Sequence, residues 1–199
     1  MPAGRSLCWR LNWYRQSELE GALLLGRLAR HVDDPYLVHQ LTKHCADEAR
    51  HAWLWQRTLT GLSLPAVRIR RSYQSFYVDE TAAPKGLVEA LALTHVFEHR
   101  VQAHFNHELR KPGVPEPVRR TLRSLLRDEA GHLDWIGRWL ATQEGVDRLL
   151  SRYRLADQRV VRRLQPYGDR LWDVHGLGEE LAEESDGDSR HPEEEHHTA

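Results

Sequence analysis

Two segments of this chain share one pattern, Asp-Glu-Ala-x-His: Asp47-Glu48-Ala49-Arg50-His51 and, 81 positions later, Asp128-Glu129-Ala130-Gly131-His132. Apolar residues flank each in helical phase. Leu41 and Trp55 continue the stripe of Glu48 and His51, while Leu122, Leu125 and Ile136 continue that of Glu129 and His132. Positions i and i+3 share a helix face about one turn apart, so each motif aims a carboxylate and an imidazole from the same apolar face. Burying a carboxylate there without a partner is costly, and two of them facing each other repel unless a cation sits between them. Glu193/His196 and Glu194/His197 have the same spacing but fall in a charged run without a stripe, so spacing alone carries little.

Apolar spacing near 3.6 runs through most of the first 175 residues, and no segment alternates with period 2, so an all-α fold is expected. The pattern predicts helix 1 over residues 11–31, ending before Asp33-Asp34-Pro35, and helix 2 from just after that proline to residue 60. The short connector makes these two antiparallel neighbours. Helix 3 is expected from Pro84 to residue 110, helix 4 over 116–142, and a fifth helix over 145–174 with a break at Pro166-Tyr167-Gly168. Residues 61–83 have no helical stripe and hold Pro65, the basic run Arg68-Ile69-Arg70-Arg71, and Tyr73, Phe76 and Tyr77. So long a connector reads as a crossover between helices 2 and 3 that travels the length of a bundle. The domain is expected to span residues 1–178, followed by a disordered acidic tail over 179–199.

A metal pair held by two such motifs needs a carboxylate from each remaining helix. On helix 3, Glu98 lies among Leu91, Thr94, Val101 and Phe105 at helical spacing. On helix 1, Glu18 shares a stripe with Ala22, Leu25 and Ala29, whereas the rival Glu20 leads into Arg27. Glu18 precedes Glu48 by 30 residues and Glu98 precedes Glu129 by 31, so helices 1 and 2 repeat helices 3 and 4.

The set Glu18, Glu48-x-x-His51, Glu98, Glu129-x-x-His132 resembles the ferritin-like di-iron carboxylate superfamily, which includes bacterioferritin, rubrerythrin and related oxygenases. The resemblance covers residues 11–142 and implies a ferritin-like four-helix bundle, extended here by the C-terminal fifth helix. It implies that Glu48 and Glu129 bridge two metal ions, with Glu18 and His51 on one and Glu98 and His132 on the other. Asp47 and Asp128 match a position in several members where a carboxylate accepts the imidazole N–H of the opposite motif, and exposed helix acids are the plainer alternative. Iron is the expected metal, two ions per chain, with manganese the alternative.

Three absences and one surplus shape the functional expectation. The two cysteines, Cys8 and Cys45, are too few for a rubredoxin-type module, and they give no disulfide framework. No apolar run approaches the roughly 20 residues that span a bilayer. The first ten residues hold Arg5 and Arg10 but no apolar signal core, so a cytoplasmic location is expected. Of 28 bases and 29 acids, one base and nine acids fall after Gly178, which leaves 27 bases against 20 acids in the body. That basic body suits an acidic substrate or carrier, and one branch of the family hydroxylates modified tRNA.

The leading expectation is therefore an oxidase or monooxygenase that activates O₂ or peroxide against an organic substrate, supplied by an external electron donor. A ferroxidase or iron-storage protein is the alternative, and the crossover aromatics and fifth helix could equally form a homodimer surface. Beyond the ligands the sequence assigns no catalytic residue. Thirteen histidines are many for this length, but His44, one turn before Glu48, reads first as a core histidine bonded to a neighbour and second as an extra ligand or proton donor.

Overall fold

Asp33-Asp34-Pro35 works as a stop and a start at once. The computed structural model describes residues 2–171, and in it the Asp34 side chain accepts a hydrogen bond from Leu37 N at 2.9 Å with Pro35 in the first turn. Helix α1 (Pro2–Ala29) ends before this cap and α2 (Pro35–Gly61) begins from it. The remaining elements are α3 (Tyr73–Thr81), α4 (Leu87–Arg110), α5 (Glu116–Leu140), α6 (Val146–Leu164) and a 3₁₀ segment, Gln165–Arg170. Among the described residues all regular structure is helical. The expected acidic tail and the end of the predicted fifth helix lie outside them.

Two apolar layers join α1, α2, α4 and α5. One holds Leu11, Trp55, Leu59, Phe105, Val118, Leu122 and Leu125. The other holds Leu25, Leu37, Leu41, Leu91, Val96, Trp135, Ile136 and Leu140, with Tyr153 from α6. Early residues of α1 thus meet late residues of α2, so the two run antiparallel; the same pairing relates α4 to α5. The Thr58–Thr121 hydroxyl contact at 2.7 Å, far from the layer of Leu41 and Ile136, makes α2 and α5 antiparallel too. Each fully buried leucine contributes about 1.5–3 kcal/mol relative to exposure, so these layers supply the main stabilising force.

The structure departs from the sequence expectations at three places. Helix α1 starts well before residue 11, because Leu7 packs on the first layer and Trp9 on Trp13. The expected crossover contains α3, whose buried residues Phe76 and Tyr77 are adjacent and leave no helical period to detect. Finally, α4 begins at Leu87, not at Pro84: Gly86 is its N-cap, and Glu89 reaches back to accept from Lys85 N at 3.0 Å.

Side chains of α1 hold the connector in place. Asn12, fully buried, donates to Pro65 O at 3.0 Å and accepts from Val67 N at 3.0 Å, while Trp13 Nε1 donates to Arg71 O at 3.1 Å. Helix α6 closes over this side through Asp157, which accepts the Tyr77 hydroxyl at 2.6 Å and Arg100 Nε at 3.0 Å. A single buried carboxylate therefore ties α3, α4 and α6 together. Asp157→Ala would leave Tyr77 and Arg100 without that acceptor, and should cost about 2–3 kcal/mol in urea unfolding. A loss below about 0.5 kcal/mol, the level of an ordinary surface change, would show that α6 is held by its apolar face alone.

Candidate metal centre

Glu18 on α1, Glu48 and His51 on α2, Glu98 on α4, and Glu129 and His132 on α5 all project into the gap between the two apolar layers. None is more than 7 % exposed. The helical phase that put them on apolar stripes thus brings all six together. Glu20, the rival on α1, turns away, accepting from Ser72 Oγ and from Gln16 Nε2.

The imidazoles are oriented from behind by crossed carboxylates. His51 Nε2 lies 3.1 Å from Asp128 Oδ2, and His132 Nε2 lies 3.3 Å from Asp47 Oδ2. A carboxylate can only accept, so each Nε2 carries the hydrogen and, in the neutral ring, each Nδ1 keeps its lone pair. Burial favours that neutral form at both, while at His51 Glu18 and Asp128 outweigh it and raise the imidazole. Burial opposes ionisation of both aspartates, but Lys43 and His132 outweigh it at Asp47, and Arg50 and His51 at Asp128, lowering both. They are acceptors at neutral pH.

The lone pairs point at oxygen. His51 Nδ1 is 3.7 Å from Glu18 Oε2, 3.8 Å from Glu48 Oε1 and 3.6 Å from Glu129 Oε1. His132 Nδ1 is 3.6 Å from Glu48 Oε1 and 3.5 Å from Glu129 Oε2. Neither Nδ1, nor Glu48 Oε1, nor Glu129 Oε2 has a hydrogen-bond partner among the described residues. Lone pairs facing carboxylate oxygens repel; a cation between them turns every one of these contacts attractive. The donor set of carboxylates and imidazoles suits Fe²⁺ or Mn²⁺.

Two ligand groups are resolved, each with its donor atoms within 4.8 Å of one another: Glu18, Glu48 and His51, and His44, Glu48, Glu98 and His132. Glu48 belongs to both. Glu129 spans them in its own way, offering one oxygen to His51 and the other to His132. Glu18 is steadied by Trp55 Nε1, which donates to it at 3.3 Å.

Two contributions are not visible in the motif. Gly21 lies on α1 where a Cβ would come within 2.8 Å of Glu48 Oε2, so a larger residue there would displace that carboxylate. His44 is the second. The hydrogen-bonded core histidine expected there is not what the structure shows: neither ring nitrogen has a hydrogen-bond partner among the described residues. Its Nε2 lies 3.3 Å from Glu48 Oε1 and 3.4 Å from Glu98 Oε1, and its ring stacks on His132 with centroids 3.6 Å apart. His44 is a seventh donor facing the same gap.

Other histidines and aromatics near the motifs in sequence lie apart from the gap. Trp53 is exposed, and so are His99 and His107. His95 packs against Gly137. His104 is half-buried and bonded to Tyr14 OH at 2.5 Å.

Crowding sets the ionisation. Burial, then repulsion from Glu18 and Glu98, pushes Glu48 well above the carboxylate range; burial, then Glu98, does the same to Glu129. Burial would also raise Glu98, but Glu129 and His44 outweigh it and hold Glu98 ionised. Burial, then the neighbouring His44, lowers His132 to about 4. Both carboxylate shifts, at Glu48 and Glu129, favour the protonated acids in the metal-free protein, so a cation must compete with protons there.

The sequence matches no family model, and no curated protein or solved structure matches it.

Two measurements check this geometry. Divalent metal uptake should release protons in weakly buffered solution, and apparent affinity should fall as pH drops through the raised values of Glu48 and Glu129. Uptake with no proton release and no pH dependence would contradict the protonated pair. Secondly, Glu18→Ala should lower metal content about 10-fold or more at limiting metal while Glu20→Ala leaves it unchanged; the reverse result would place the α1 ligand on the other face.

Proposed function

We propose that this chain is a ferritin-like di-iron carboxylate protein that uses O₂ or peroxide to oxidise an organic substrate, with manganese as the alternative metal. Chain direction supports the fold assignment. Because α2 and α4 are both antiparallel to α5, they point the same way, and residues 62–86 must return along the molecule between them. A return of this kind is what a ferritin-like four-helix bundle needs, and α6 would be its added helix.

The observation that carries the oxidative reading is a cavity of about 570 Å³ whose inner end is formed by Glu18, Glu48 and Glu98. A centre that only oxidises or stores iron needs a passage for an ion. This one faces a chamber with room for an organic molecule.

On this reading Glu18 and His51 would hold one ion, Glu98 and His132 the other with His44 in reach, and Glu48 and Glu129 would be shared. Four carboxylates would balance two divalent charges and relieve the repulsion in the gap. Bound iron would supply redox equivalents and Lewis acidity for reducing O₂. Asp47 and Asp128 hold the imidazoles in the tautomer that presents Nδ1. The apolar layers flank the centre above and below, and the missing Cβ at Gly21 leaves Glu48 Oε2 its place. In a hydroxylation, a substrate C–H bond becomes C–OH, the second oxygen atom leaves as water, and an external donor provides two electrons with two protons.

The proposed location is the cytoplasm; among the described residues no helix is long and apolar enough to cross a membrane. An acidic carrier or tRNA draws less support than a small molecule. On α6, Arg159 is already paired with Glu80 at 2.7 Å and Arg163 with Asp79 at 3.1 Å.

The test is stoichiometric. Anaerobic protein titrated with Fe²⁺ and then exposed to air should retain about two ferric ions per chain, and Glu48→Ala and Glu129→Ala should each lower that number. Retention of far more iron per chain, in a large particle by light scattering, would replace this reading with iron storage. Full loading of the double variant would remove the metal site itself.

A further inference from the structure

The cavity beside the candidate metal centre has a composition that selects its occupant. Its mouth is formed by the exposed residues Ala103, His107, Gln165 and Gly168, and its inner end by buried Glu18, Glu48 and Glu98. Between them the walls are Trp13, Tyr14, Phe97, Val101, Phe105 and Leu164, from α1, α4 and α6. From Arg10 to Glu18 the cavity follows eight residues of α1, about 12 Å at the helical rise of roughly 1.5 Å per residue. The chamber is mostly apolar along this length.

Its cations are engaged elsewhere. Arg10 pairs with Glu108 at 3.2 Å, and Arg100 is held by Asp157, so both turn their aliphatic stems to the cavity. Burial lowers His104 to about 4, which leaves its ring neutral beside Tyr14. A charged substrate group entering between the aromatic and aliphatic walls would lose its hydration.

We infer that this cavity binds an elongated organic molecule whose inserted part, about 12 Å long, is uncharged and apolar, an alkyl or aromatic chain with its tip against the Glu18–Glu98 side of the centre. Deep insertion of a charged group is disfavoured because the walls cannot replace its hydration. This names the substrate class for the oxidative reading and rests on that reading for the chemistry, but occupancy of the cavity stands apart from metal binding.

The probes are decanol and decanedioate, the latter carrying a carboxylate at each end. Equilibrium dialysis against the full-length, metal-free protein should show saturable decanol binding, and decanedioate should bind about 10-fold more weakly or worse. Val101→Trp, which fills the middle of the chamber, should weaken decanol about 10-fold. Ala103→Trp, at the exposed mouth where it cannot disturb the core, should do the same. In Co²⁺-loaded protein, decanol should shift the visible spectrum of the metal. Decanol binding that is absent, unchanged by both substitutions, matched by decanedioate, or silent in the Co²⁺ spectrum would each overturn the inference. If Co²⁺ fails to bind while decanol binds and Ala103→Trp blocks it, the cavity assignment survives and the metal-based reading falls.

Discussion

Repulsion between buried carboxylates governs this molecule. Glu48 lies within ligand-sharing distance of Glu18 and of Glu98, with donor atoms inside 4.8 Å in each group. At such range a pair of like charges costs about 3–4 kcal/mol even at an effective dielectric of roughly 20. A few such pairs match the whole stability of a domain, about 5–15 kcal/mol. The fold can keep four carboxylates here only by protonating some or by admitting positive charge. The two apolar layers make that choice unavoidable, because they shut out the water that would otherwise screen the charges.

The apolar layers also explain what the sequence discloses. Each of the four long helices must pass an acid through an otherwise apolar stripe, so Glu18, Glu48, Glu98 and Glu129 stand out by phase alone. The duplicated motif sharpens this, since two imidazoles appear at the same offset. The all-helical class follows from the same periodicity. What lacks periodicity stays hidden. Helix α3 buries two adjacent aromatics and so shows no stripe, and the first turns of α1 rest on scattered contacts of Leu7 and Trp9. His44 has no counterpart in the repeat, where Leu125 occupies the matching place, so one histidine on an apolar face carried no distinguishing mark. Gly21 is legible only once the carboxylate of Glu48 is seen against it. The cavity is assembled by α6 and the 3₁₀ segment folding over α1 and α4, a long-range event that local pattern does not encode.

His44 and Leu125 also break the internal symmetry of the site. The motifs on α2 and α5 are related as a repeat, yet one half presents an additional imidazole stacked on His132 while the other presents a methyl surface. The two halves of the centre are therefore chemically unequal. The cavity adds to the inequality, since it meets the Glu18 and Glu98 edge, formed by α1 and α4, and not the opposite edge.

That opposite edge, where α2 faces α5, is built differently. His51 and His132 each end on an aspartate that is only partly buried, and Asp128 and Asp47 lead on to Arg50 and Lys43 at the surface. Every imidazole N–H of the duplicated motif is thus one carboxylate away from bulk water, although the rings themselves are sealed. Isotope exchange at those nitrogens can run through the aspartates at the native-state rate of a side-chain flip, with no need for the helices to part. The solvent-facing aspartates thus lie on the α2–α5 face, and the cavity lies on the α1–α4 face.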